Sequence, residues 1–167
     1  MSKPPKRADF PQRDDARRKR WLEPNPRGAA FLDRFVGIRY GCSGKHKSNP
    51  YHYDVAPYHG KDSDRSLCDA HTGFTKPDLA RVPFLFGRAK QAGLAGNLIW
   101  TVDDTGWIYE LQVTNAGQNE WHGYPVLPSD PFAQQIWDRF SDWALQHGSA
   151  GDQNAAKACA LLYGIRK

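Results

Sequence analysis

The chain has 167 residues, 40% hydrophobic and 25% charged, with 23 Lys and Arg against 18 Asp and Glu for a formal net charge of +5. That length suits one domain with a proper core, and no apolar run approaches the ~20 residues of a membrane span, so no membrane partner is expected. The first 28 residues hold no apolar stretch, which argues against a general secretory signal peptide, and three cysteines make an odd number for a disulfide framework, so reduced thiols in the cytoplasm are expected.

The charge is placed unevenly. Residues 1–28 hold nine Lys/Arg against four Asp/Glu, and residues 29–167 hold fourteen of each. Within that remainder, 29–96 carries ten basic and six acidic groups, and 97–167 carries four basic and eight acidic. The chain therefore reads as a basic front and an acidic back.

In chain order, "MSKPPKRADFPQRDDARRKRWLEPNPRG" is rich in Pro and charge and poor in aliphatics. It cannot bury enough apolar surface to offset its ordering entropy, so 1–28 is expected to be a disordered basic tail before a single α+β domain over 29–167. Its cluster Arg17, Arg18, Lys19 and Arg20 has two readings: an electrostatic clamp on phosphates or a nuclear-import patch, and a solvated tail. Phe31, Leu32, Phe35 and Val36 follow helical spacing up to Gly37. Residues 40–73 show no sustained period, and a loop of that length inside a domain is usually functional or held by something other than a core. Thr75, Pro77 and Asp78 open a helix that Pro83 should kink and Gly93 should stop.

Then comes the clearest β region, an antiparallel meander over about 97–126. Leu98–Val102 and Trp107–Val113 read as strands joined by a turn with Asp103, Asp104 and Gly106, and "EWHGYPV" as a third strand that Pro125 confines to an edge or an end. Two helices follow. Ser129 is expected to cap the first, whose apolar face is Phe132, Ile136, Trp137, Phe140, Trp143 and Ala144. Asp152 or its neighbours start the second, which packs Ala155, Ala158, Cys159 and Leu162 and ends at Gly164. Helices on both sides of a small antiparallel sheet make the fold class α+β.

Two constellations carry chemistry. Cys42 and His46 are four apart, and Cys68 and His71 are three apart, flanking the irregular loop. Two such short-spaced pairs can hold one zinc, and four protein ligands would make the site structural. The competing reading is two buried thiols and two surface histidines, and His52 or His59 could replace a chosen ligand. The second constellation is Glu110 on one strand with Glu120, His122 and Tyr124 at alternate positions of the next. Residues i, i+2 and i+4 share a strand face, so a carboxylate, an imidazole and a phenol project together as an acid–base set. A ribonuclease built this way would use the 2′-hydroxyl as nucleophile and need no metal. It would also need a basic residue on the phosphate. The 97–128 stretch has none, leaving Arg81, Arg88 or Arg139 as candidates. The competing reading is a solvated polar face.

"DDTGWIYELQ", Asp103 to Gln112, followed by "EWHGY", resembles the strand and nearby Glu/His positions of bacterial cytotoxic ribonuclease domains such as those of nuclease bacteriocins, over about twenty residues. The resemblance implies acid–base roles for Glu110, Glu120 and His122 on a meander. The chain departs from that pattern just after Glu110, where "LQVTN" stands in place of the usual Asp and His.

Three functions remain open at this point. The first is a small metal-independent ribonuclease, with RNA favoured over DNA. The second is a non-enzymatic, zinc-stabilised binding module, in which Tyr51, Tyr53 and Tyr58 interleave with Lys45, Lys47, Lys61 and Arg65 to contact nucleic acid. The third is a protein-interaction factor that uses the two oppositely charged halves. A Gly-rich phosphate loop, a Gly-x-Ser-x-Gly elbow and a His-Glu-x-x-His motif are all missing, so nucleotide-dependent enzymes, common serine hydrolases and zincin proteases are not expected.

Overall fold

The computed structural model describes residues 39–41, 51, 59, 93–95 and 98–166. Strands rich in β-branched and aromatic residues form an antiparallel meander from residue 98, and two helices with 3.6-residue buried stripes follow it, an α+β arrangement. The strands are β1 (Arg39–Tyr40), β2 (Gly93–Ala95), β3 (Leu98–Val102), β4 (Ile108–Asn115) and β5 (Glu120–Pro125), and the helices are α1 (Ala133–Gln146) and α2 (Ala150–Tyr163). The sheet order is β1-β5-β4-β3-β2, with β1 parallel to β5 and every other pair antiparallel. The expected helices around 31–37 and 75–93 and the loop at 40–73 fall largely outside the described residues. Gly93, expected to stop a helix, instead lies in β2 and pairs with Trp100.

The β3–β4 turn is built by Asp103. Its Oδ1 accepts from the Thr105 amide at 2.9 Å, the Thr105 hydroxyl at 2.8 Å and the Trp107 amide at 2.9 Å. Gly106, at φ 91°, takes the left-handed position that lets this short hairpin close. Trp107 therefore belongs to the turn, and the strand runs from Ile108 to Asn115 where Trp107–Val113 was expected, with a register irregularity between Val113 and Asn115.

Register places Trp100, Val102, Ile108, Glu110, Gln112, His122 and Tyr124 on one face. Trp100 meets Phe132, just before α1, edge to face at 5.0 Å, and Trp107 meets Tyr163 of α2 at 6.1 Å. The helices join through the Trp137 indole N–H, which donates to the Ala156 carbonyl at 2.8 Å. Ser129 does not cap α1. The Asp130 carboxylate accepts from the amide of Phe132, the residue just before the helix, at 3.0 Å. The cap of α2 is a reciprocal Ser149–Asp152 box, and Gly164 at φ 64° closes its end while Ile165 donates back to the Ala160 carbonyl. No helix among the described residues is long and apolar enough to cross a membrane.

Asp103 also couples stability to pH. Burial is the largest influence on its carboxyl and holds its pKa above the ordinary 3.8, with the turn's hydrogen bonds pulling the other way. The folded value lies above the unfolded one, so this stabilisation is fully present below the unfolded value and is lost as pH rises through the folded one. All three bonds end on one oxygen, which an amide also has. Asp103→Asn is therefore expected to melt above the parent near neutral pH, with the difference closing below about pH 4. Thermal melts across that range test it, and an Asn variant that melts lower at every pH would refute the argument.

Half of the eight acidic residues of 97–167 are buried. Asp103, Glu110, Asp130 and Asp152 are buried in the turn, the sheet face and the helix starts, which leaves Asp104, Asp138 and Asp142 exposed and Glu120 half-exposed.

Candidate functional site

Of the four residues expected to act together, two are buried and two lie near solvent. Glu110 is 1% exposed and Tyr124 4% exposed, whereas Glu120 and His122 are half-exposed. Cross-strand pairing explains the first two. Glu110 stands directly opposite Tyr124, and the Tyr124 hydroxyl donates to Glu110 Oε1. The Trp100 indole donates to Glu110 Oε2 at 3.0 Å, and Gln112 Nε2 donates to Oε1 at 2.8 Å and also to the Tyr124 hydroxyl oxygen. The Glu110 carboxyl group accepts three of these hydrogen bonds, from Trp100, Gln112 and Tyr124, and the fourth, from Gln112 to the Tyr124 hydroxyl oxygen, closes the Trp–Glu–Tyr–Gln cluster, so a buried polar group is met by hydrogen bonds on both oxygens. Trp100 and Gln112 were not among the expected site residues. Their signal in the sequence was their place on the same strand face.

Glu120 and His122 stand at the rim of that cluster. His122 pairs in register with Gln112, and its ring lies 6.3 Å from that of Tyr124, tilted by 37°. The side chain of Glu120 lies over Gly41, where a Cβ would collide with it. That approach depends on the segment that follows β1, where the Gly41 amide donates to the Trp121 carbonyl at 2.6 Å. The same pairing brings Arg39 into register with Glu120 and Tyr40 with Trp121. Arg39 is thus a basic residue at the site's edge that local reading missed, because eighty residues of chain separate it from Glu120. Of the three basic residues considered earlier, Arg139 sits half-buried on α1, where burial lowers its pKa, and Arg81 and Arg88 lie outside the described residues.

The expected zinc ligands Cys42, His46, Cys68 and His71 lie outside the described residues, as do Arg17, Arg18, Lys19, Arg20, Lys45 and Lys47. Among the described residues no three His, Cys, Asp or Glu side chains gather as a metal group. The third cysteine, Cys159, is a buried free thiol. Burial, and then the nearby Asp103, push its pKa up, so it stays protonated and has no nucleophilic character.

The chain matched no protein-family model, no curated protein and no solved structure.

Proposed function

We propose that this chain interacts with nucleic acid, RNA in preference to DNA, and that Glu120 and His122 form an acid–base pair of ribonuclease type. The observation that supports the reading is the parallel pairing of β1 with β5, which sets Arg39 beside Glu120 on the strand next to two half-exposed titratable groups. Two residue steps of extended strand set Glu120 and His122 about 7 Å apart, a span suited to groups that flank one phosphodiester.

In this reading one of the pair takes the proton of a 2′-hydroxyl as that oxygen attacks the adjacent phosphorus. The other gives a proton to the departing 5′ oxygen, which leaves a 2′,3′-cyclic phosphate on one product and a 5′-hydroxyl on the other. Arg39 would offset the charge that builds on the phosphate oxygens. Glu110 and Tyr124, already committed to each other, hold β4 and β5 in register beneath the pair. The tail cluster Arg17–Arg20, with Lys45 and Lys47, adds affinity that falls with salt.

The test is cleavage of single-stranded RNA by the full chain, with product ends identified. The double change Glu120→Gln with His122→Gln should reduce cleavage at least about a thousandfold while the melting curve stays in place. Cleavage that survives the double change ends the ribonuclease reading. Salt-sensitive binding without cleavage in the parent supports the non-enzymatic module instead, with one structural zinc on Cys42, His46, Cys68 and His71. A blank on both counts leaves a protein partner.

A further inference from the structure

The Gln112 amide has a fixed direction. Its Nε2 donates to Glu110 Oε1 at 2.8 Å and to the Tyr124 hydroxyl oxygen. Glu110 Oε1 already accepts from the Tyr124 hydroxyl and has no hydrogen to give in that arrangement, and the hydroxyl has spent its one hydrogen on Glu110. Both inward partners therefore demand N–H, and the reversed amide would set its oxygen against two acceptors. With Nε2 turned inward, Oε1 faces away from the cluster. It makes no bond to any described residue, and the side chain is half-buried at the cluster's rim. In register, Gln112 is the cross-strand partner of His122.

A preset acceptor next to a candidate cleavage residue selects what a ligand presents there. We infer that Gln112 is a base-reading residue, whose Oε1 accepts from the exocyclic amino group of an amino-bearing nucleobase. Cytosine supplies such a donor at its edge. Uracil supplies only an imino N–H set between two carbonyl oxygens, which Gln112 Oε1 would repel. The amide is held before the ligand arrives, so none of the bond is lost to ordering a free side chain. The inference rests on the nucleic-acid reading and adds a preference to it.

The experiment compares binding of oligo(C) and oligo(U) of equal length to the full chain at one salt concentration. The parent should favour oligo(C) by about tenfold, the worth of one well-made neutral hydrogen bond. Gln112→Lys keeps inward donors for Glu110 and Tyr124 but has no acceptor, so the ratio should fall to about one, even as the added charge raises both affinities. Gln112→Met removes the acceptor without adding charge and gives the same readout should the Lys variant fail to fold. Equal binding by the parent, or a ratio that survives both changes, overturns the base-reading role and leaves the nucleic-acid reading in place. No binding of either oligonucleotide overturns both.

Discussion

Gly106→Ala is expected to cost about 4 kcal/mol or more, enough to leave much of the protein unfolded at room temperature. Two independent reasons converge on this position. At φ 91° any L side chain is strained. A Cβ would also sit 2.5 Å from the Cys159 nitrogen and 2.6 Å from the Ala158 carbonyl carbon, both backbone atoms of α2. Backbone inside a helix cannot swing aside as the end of a flexible side chain can. Relief would require the turn and α2 to separate, which would open the packing of Trp107 on Tyr163. The same substitution at Gly151 is the control. There the new methyl meets nothing closer than Ser149 Oγ at 3.5 Å, and an Ala in a helix should stabilise by up to about 1 kcal/mol. Denaturant unfolding of both variants decides it. A Gly106→Ala chain as stable as the parent would mean that the turn does not rest on α2.

Tyr163→Phe should cost about 2 to 4 kcal/mol for the loss of a single oxygen. Val126 donates to the Ile108 carbonyl at 2.8 Å, as an antiparallel pair should. The return bond of that pair is replaced by the Tyr163 hydroxyl, which accepts from the Ile108 amide at 2.9 Å and donates to the Val126 carbonyl at 2.6 Å. Burial, as the largest cause, pushes the phenol's pKa well up, so the group remains a donor. Phenylalanine fills the same space and leaves two buried backbone groups unsatisfied. The variant should show a lower denaturant midpoint with an unchanged slope, and faster hydrogen exchange at the Ile108 amide. A loss under about 0.5 kcal/mol would mean that the strands close up and bond directly.

Neither effect is legible from the residues in order. Gly106 reads as an ordinary hairpin glycine, and its second constraint comes from a helix fifty residues downstream. Tyr163 falls outside the apolar set expected for α2, and its hydroxyl matters only because the helix ends over the splayed strands. The candidate site divides in the same way. That Glu110, Glu120, His122 and Tyr124 share a face follows from strand alternation. That Glu110 and Tyr124 turn inward to Trp100 and Gln112 while Glu120 and His122 stay near solvent does not.

The sequence alone determined the periodic elements: the three strands of the meander, both C-terminal helices, the Asp–Gly turn and the terminating Gly164. Each depends on contacts within a few residues, where period and capping chemistry act directly. Only the tertiary structure decided which carboxylates of the acidic half are buried, that a short strand from residues 39–40 joins the sheet beside Glu120, and which glycine and tyrosine hold turn to helix. Those outcomes depend on which distant segments pack together. Burial and close approach are properties of the packed pair, and neither partner's local sequence encodes the other.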